Sequence, residues 1–212
     1  MDTTMILDSG NTAWIIVATL LVLLMTIPGI ALFYGGLVRQ KNVLSIIMQS
    51  LLIVGAVSIL WVAFGYSFVF GSSLMETDSV WRHFIGGFDK LFLQGITTSS
   101  LTTGRIPELM FVLFQCMFAV ITPALILGAF AERVKFAGFL MFTVLWSILV
   151  YIPMAHWVWG GGFLQQMGAI DFAGGTVVHI NAGIAALVMA ILIGKRRDYK
   201  IGHPMAPHKI TF

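Results

Sequence analysis

The segment from Trp157 to Asn181 contains the side chains of this chain that are best placed to do chemistry. It reads WVWGGGFLQQMGAIDFAGGTVVHIN and joins two long apolar runs. It holds a glycine triplet, the acid Asp171 and, inside the second apolar run, His179. A bilayer interior disfavours ionisable side chains, so an ionisable residue within an apolar span indicates a functional site. We therefore expect the site to lie in this segment.

His179 lies about one turn into the second apolar run and is followed closely by the polar residue Asn181. A neutral imidazole can donate one hydrogen bond and accept another. Histidines within membrane spans often line a transport pathway. A hydrogen bond to a neighbouring helix, made for packing alone, explains the same residue, and both explanations stay open at this point.

Asp171 and Trp159 lie close to the ends of the two apolar runs. An acid at a helix entry can accept backbone N–H hydrogen bonds and can also favour a nearby cation, and these two roles are compatible. A tryptophan at the end of a span is commonly an interfacial anchor. Its functional alternative is a cation–π surface for a small cation, worth roughly 2 kcal/mol when the cation is desolvated.

Three phenylalanines, Phe111, Phe114 and Phe118, have helical spacing in an earlier apolar run. Such a stripe usually packs against other helices. The alternative is a hydrophobic gate, which blocks hydrated ions and lets small neutral molecules pass.

The sequence has no phosphate loop, no hydrolytic triad and no histidine spacing typical of a metal site. His156 is separated from His179 by the glycine turn, and His203 and His208 belong to the basic tail. We therefore expect a protein that is not an enzyme and needs no cofactor.

The composition predicts the scaffold that must position these residues. The 212-residue chain is 58% hydrophobic and 10% charged, whereas roughly a quarter of the residues in soluble domains are charged. Five uncharged intervals each reach the ~20 residues needed to cross the hydrocarbon core as a helix, and they lack the alternation of barrel strands. The predicted fold is an all-α, polytopic transmembrane helix bundle. Its spans are predicted at Thr12–Tyr34, Val43–Phe70, Leu109–Phe130, Phe136–Trp157 and Thr176–Ile193.

Two local features of the spans and loops are also predicted. Pro28 with Gly29, and Pro123 in the third span, should kink or loosen their helices, because proline removes a hydrogen bond. The longest loop, Gly71–Pro107, has aromatic residues with roughly helical spacing. It could lie flat at the membrane interface or cover the rim as a solvated loop.

The basic residues sort by side of the membrane. Nine of the twelve cations follow the first, third and fifth spans, and Arg82, Lys90 and Arg105 lie on the opposite side. By the positive-inside rule the nine-cation side is cytoplasmic, so the N-terminus is outside and residue 195 onward is inside. These cations are topology signals, so we expect no nucleic-acid partner. The first run is too long, and the residues before it too acidic, for a cleaved signal peptide.

Several ordered segments resemble the ammonium transporter (Amt/Mep/Rh) family. They are TIPGIALFY from residue 26, GGLVRQKNVLS from residue 35, GAFAERV from residue 128, YIPMAHWVWGGG from residue 151 and DFAGGTVVHINAGIAAL from residue 171. They are spread over the whole chain, and their order agrees with the topology drawn from the charges.

The resemblance implies roles for individual residues. Trp159, with Phe114 and Phe118, would form an outer ammonium-recruitment site and gate, and Asp171 would support that site structurally. His179 would be the first of two pore histidines. Ammonium would be recruited, deprotonated near the gate and conducted as ammonia through an apolar pore, while its proton moves separately along the histidines.

The resemblance also implies an architecture larger than this chain. Family members have about eleven spans in two inverted five-helix repeats, so residues 1–212 would form the N-terminal half, with five of the spans. Sites of inverted-repeat transporters lie between the repeats, so a pore face should be open in this half. We interpret the chain as a fragment of a transporter.

Two alternatives to transport stay open, and the family implies partners. The same fold could serve an ammonium sensor coupled to a signalling module, or a neutral gas channel of the Rhesus-like branch. The resemblance implies nitrogen uptake across the plasma or inner membrane by a homotrimer, with a cytoplasmic regulatory protein of the PII class as a partner.

Overall fold

Five long helices organise the computed structural model, which describes residues 6–74, 79–196, 199 and 202. In that part of the chain there is no strand, and each of the five helices is long and apolar enough to cross a membrane. We number them in chain order: α1 Ser9–Leu37, α2 Gln40–Phe70, α3 Glu108–Phe130, α4 Phe136–Gln166 and α5 Gly175–Ile193. The predicted all-α bundle of five spans is confirmed.

The predicted span limits differ from the observed ones by three residues or fewer, except at the end of α4. There the helix continues to Trp159, and a short turn, Phe163–Gln166, follows the glycine triplet. Four spans contain a wider π-type turn, at Met25–Ile30, Trp61–Gly65, Ser147–Tyr151 and Gly175–Ile180. The last of these turns contains His179.

α3 is the centre of the bundle. In an apolar 18-residue stretch of α3, 61% of the residues are buried, and in no other span does this share exceed 33%. α3 packs against α5, α1 and α2. Val120, Ala124, Ile126 and Leu127 are completely buried along it. In lipid, helices associate mainly through close van der Waals packing. The helices α1, α2 and α5 are therefore positioned mainly by α3.

The two prolines within spans behave differently. At Pro28 the helix is broken, because the preceding Ile27 has extended backbone angles (φ −130°, ψ 112°). This confirms the predicted kink. Pro123 lies inside the unbroken helix Glu108–Phe130. It is buried in the middle of α3, and the kink predicted at Pro123 is not seen.

The loop between α2 and α3 is docked onto the bundle. Its described part contains the short 3₁₀ turns Val80–His83 and Leu91–Leu93 but no α-helix, so a flat interfacial helix is not seen there. The Ser67 hydroxyl donates to the Gly87 carbonyl at 2.9 Å. Lys90 forms an ion pair with Glu108 at the start of α3. We call this side of the bundle the loop end.

At the opposite side, which we call the basic end, Glu132 joins four helix ends. Its side chain is 1% exposed. The carboxylate accepts from Arg39 Nε at 2.9 Å, Asn42 Nδ2 at 2.5 Å and Arg196 Nη1 at 3.1 Å. Burial by itself raises the pKa of Glu132, but the hydrogen bonds from Arg39 and Asn42 outweigh it, so the pKa lies below its usual value. This carboxylate thus ties together the ends of α1, α2, α3 and α5.

We expect Glu132→Gln to lower the free energy of unfolding by about 1.5–3 kcal/mol, the usual contribution of a hydrogen bond to a charged group. A carboxylate with a lowered folded pKa stabilises above its unfolded pKa of about 4.3. That contribution is lost as the pH falls through the folded pKa. The difference in melting temperature between wild type and variant should therefore be largest near neutral pH. A difference that does not become smaller below about pH 4 would contradict this role.

Candidate functional site

Asp171 caps α5 with its carboxylate. Oδ1 accepts from the Gly175 N–H at 2.7 Å, and Oδ2 accepts from Thr176 at 2.8 Å and Val177 at 3.0 Å. The predicted capping role is confirmed. Burial by itself raises the pKa of Asp171, but these backbone hydrogen bonds outweigh it and keep the pKa below its usual value. The side chain is therefore occupied by the helix start.

Trp159 also forms a hydrogen bond with Asp171, but with its backbone and not its carboxylate. Its indole Nε1 donates to the backbone carbonyl of Asp171 at 2.8 Å. The helix that carries Trp159 comes very close to α2 at Gly160, where a Cβ atom would lie 2.0 Å from the Val69 carbonyl oxygen. Glycine is thus required at this position. Trp159 is half-buried and fixed to the start of α5.

The rings of Phe114, Phe118 and Trp159 form a continuous edge-to-face series. The ring centroids are 5.0 Å apart for Phe114 and Phe118, and 5.8 Å apart for Phe118 and Trp159. Phe111 points elsewhere and packs on Phe70. The predicted stripe is therefore divided: two of its rings are next to Trp159, and the third belongs to the core.

His179 is held by the carbonyl of Gly174. Its Nδ1 lies 3.1 Å from that oxygen, and because a carbonyl can only accept, Nδ1 must carry the proton and Nε2 is left as the acceptor of a neutral imidazole. Gly174 has a positive φ of 78°, and a Cβ atom there would lie 2.7 Å from Val178 Cγ2. The glycine-rich turn thus sets the orientation of the histidine. His179 itself is exposed at the surface of the chain.

An apolar cavity of about 710 Å³ brings the phenylalanine pair and His179 together, while Trp159 and Asp171 are not among its lining residues. It lies between the kinked part of α1, the middle of α3 and the start of α5. Phe114, Phe118 and His179 line it, together with the exposed Phe172. The other lining residues are Ala18, Leu21, Val22, Met25, Gly29, Ile30, Phe33, Ile121, Leu125, Ala173 and Val178. His179 is the one ionisable side chain in this lining.

His156 has a structural role that the sequence interpretation missed. It is completely buried, with Nδ1 2.8 Å from the Val69 carbonyl oxygen and Nε2 2.9 Å from that of Arg82. It therefore fastens the helix that carries Trp159 to α2 and to the loop at the loop end. The sequence signal that could have indicated this role is the position of His156, three residues before Trp159 and close to the glycine triplet.

The described part of the chain gives no indication of a metal centre. No group of three His, Cys, Asp or Glu side chains in them could hold a metal ion. His203 and His208 lie outside the described residues. The site consists of aromatic rings, one imidazole and backbone groups. It can bind a small cation on a ring and pass a small neutral molecule along apolar walls.

Comparison with known proteins gives a consistent assignment. The sequence model of the Ammonium Transporter Family matches residues 13–212 of this chain. An ammonium transporter of Bacillus subtilis is 48% identical over 209 residues, which are 97% of this chain and 48% of that protein. A putative ammonium transporter of Methanothermobacter thermautotrophicus is 47% identical over 98% of this chain and 49% of its own length. These relatives are named as transporters and not as enzymes.

Solved structures agree with the sequence comparison. The crystal structure of Candida albicans Mep2 superposes with a TM-score of 0.77 at 35% identity, over 92% of this chain and 42% of that one. The crystal structure of Saccharomyces cerevisiae Mep2 superposes with a TM-score of 0.78 over 96% of this chain and 44% of that one. The chain thus spans about half the length of the curated relatives it matches.

We expect Asp171→Ala to release the start of α5, because losing an N-terminal cap costs about 1 kcal/mol. Hydrogen exchange of the Gly175–Val177 amides should then be about fivefold faster. Asp8→Ala is the matched control, since Asp8 caps α1 through the Asn11 N–H at 2.9 Å. Unchanged exchange at Gly175–Val177 in Asp171→Ala would contradict the capping assignment.

Proposed function

Because this chain belongs to the ammonium transporter family, we propose that it forms one wall of a pathway that carries ammonium or ammonia across a membrane. The observation that supports this best is the apolar cavity in which His179 follows the ring pair Phe114 and Phe118. A polar, titratable group within such apolar walls is costly unless it serves the permeating species. Neither an ammonium sensor nor a Rhesus-like gas channel has an observation of its own in its favour.

We propose that Trp159 recruits ammonium. A cation over a tryptophan ring gains roughly 2 kcal/mol when it is desolvated. The hydrogen bond from Nε1 to Asp171 leaves the ring face as the binding surface and fixes its orientation. Asp171 contributes indirectly, because its carboxylate is already bound to the backbone of α5. It is a positioning residue in this scheme.

We propose that ammonium loses its proton near Phe114 and Phe118 and continues as ammonia. The edge-to-face ring pair is an apolar constriction, which opposes a hydrated cation far more than a small neutral molecule. Beyond it, Nε2 of His179 can accept a hydrogen bond from ammonia or take up the proton. An apolar wall on which the His179 imidazole is the one ionisable group suits a neutral permeating species such as ammonia.

The orientation in the membrane is also a proposal. The basic end would be cytoplasmic by the positive-inside rule, with the N-terminus outside and residue 195 onward inside. Trp159 and Asp171 would then lie at the outer mouth of a plasma or inner membrane protein. A homotrimer and a PII-class regulator at the basic end are implied by the family alone.

We expect Trp159→Leu, in the full-length protein, to raise the half-saturating concentration for methylammonium uptake about 5- to 30-fold, which corresponds to about 1–2 kcal/mol of cation–π energy. The maximal rate should change much less. Trp157→Leu is the matched control, because Trp157 packs on Phe84 and Phe163 and not on Phe118. Equal effects of the two substitutions would rule out the recruitment role of Trp159.

A further inference from the structure

A partly buried ammonium group lies at the loop end, among residues that the proposed pathway does not use. It belongs to Lys90, whose Nζ forms an ion pair with Glu108 Oε1 and lies 5.7 Å from the centroid of the Tyr66 ring. The side chains of Lys90 and Glu108 are 25% and 13% exposed, and Tyr66 is 2% exposed. We call these three side chains the Lys90 cluster.

Glu108 is an oriented acceptor for this ammonium group. Its Oε1 also accepts from the Tyr66 hydroxyl at 3.0 Å, and its backbone N–H donates to the Ser100 carbonyl at 2.8 Å. A hydrogen bond from an ammonium group to a carboxylate is roughly twice as strong as one between neutral groups. The carboxylate is therefore positioned by contacts that do not involve Lys90.

Aromatic rings complete the surroundings of the Lys90 cluster. The Tyr66 ring packs on Phe70, with centroids 5.4 Å apart, and on Phe111, with centroids 6.5 Å apart. Phe70 and Phe111 pack on each other at 5.0 Å. Aromatic side chains commonly recognise ammonium-type cations, which they attract within about 6 Å of the ring centroid. A carboxylate beside such rings suits a small cation with N–H donors.

The backbone of Lys90 is anchored separately from its side chain. Its N–H donates to the Ser67 hydroxyl at 3.0 Å, and that hydroxyl donates to the Gly87 carbonyl at 2.9 Å. The preceding Asp89 accepts from the Ser73 N–H at 2.9 Å. These hydrogen bonds hold the loop on α2 without the ammonium group. Truncation of the Lys90 side chain should therefore vacate the position of Nζ and leave the loop docked.

A vacant carboxylate at this position would compete with the Trp159 ring for ammonium. Glu108 precedes Phe114 by six residues on the same helix, which is about 9 Å along the helix axis. A carboxylate attracts a desolvated cation through a full charge, whereas a ring attracts it only through its quadrupole. A lysine that occupies the carboxylate removes this competition.

We propose that Glu108 and the Tyr66 ring form a site for ammonium-type cations, separate from Trp159, and that the Lys90 side chain is its built-in occupant. Lys90 Nζ takes the place of a free ammonium or methylammonium ion and keeps such ions out. The benefit of excluding ammonium rests on the proposed function, but the existence of the site does not. Its test therefore measures stability and not transport.

The test is chemical rescue of Lys90→Ala in the full-length protein. Without the ammonium group Glu108 loses its cation, so the melting temperature in sodium chloride should fall below that of wild type. Ammonium or methylammonium at the same ionic strength should restore at least half of this loss, and choline, which has no N–H donor, should not. Adding Glu108→Gln should raise the half-restoring ammonium concentration about tenfold, because a hydrogen bond to a charged group is lost.

Lys195→Ala is the matched control. Lys195 Nζ also lies over a tyrosine ring, 5.1 Å from the Tyr199 centroid, but it has no carboxylate partner in the described part of the chain. The melting temperature of this variant should respond to ammonium as that of wild type does. The comparison with wild type also accounts for any stabilisation by ammonium bound at Trp159.

Three results would overturn the proposal. Restoration of Lys90→Ala by choline as well as by ammonium would indicate general charge screening. Restoration that is unaffected by Glu108→Gln would place the cation elsewhere. No restoration by ammonium or methylammonium would make the Lys90–Glu108 pair a structural contact only. If Lys90→Ala is not recovered folded from sodium buffer, its recovery in ammonium buffer becomes the measurement, and failure in both buffers contradicts the proposal.

Discussion

The first N–H groups of a helix have no partners within the helix, and lipid offers none. At the start of α5 the carboxylate of Asp171 meets this requirement by accepting three backbone hydrogen bonds. The carbonyl of the same residue accepts from the Trp159 indole. One residue therefore connects the helix that carries His179 with the helix that carries Trp159. The relative position of the Trp159 ring and the His179 imidazole depends on it.

Two glycines allow this connection. Gly174 adopts a backbone conformation that other residues rarely take, and its carbonyl then accepts from His179. Gly160 lets the end of the Trp159 helix approach Val69, where any side chain would collide. His156 fastens the same helix through a hydrogen bond at the same Val69 carbonyl. The glycine-rich segments serve to bring backbones together, and the aromatic and imidazole groups gain fixed positions from that closeness.

Much of the scaffold could be predicted from the sequence because the bilayer sets simple rules. A span must be long and uncharged, so the five helices follow from where charges are absent. Asp171 could be predicted as a cap because its partners follow within six residues. His156 and Glu132 could not be assigned in this way, since their partners are 87 and 93 residues away. The apolar cavity lined by His179 could not be predicted either, because its walls come from separate helices.

We propose that the cavity lined by His179 is the route of the permeating species. The most direct measurement is the current evoked by ammonium pulses on solid-supported membranes carrying the full-length protein. We expect a current in the wild type that falls at least about tenfold in His179→Ala, a loss of about 1.4 kcal/mol or more. Ile184→Ala, which changes an exposed α5 residue that does not line this cavity, should retain it. An unchanged current in His179→Ala would show that transport does not depend on His179.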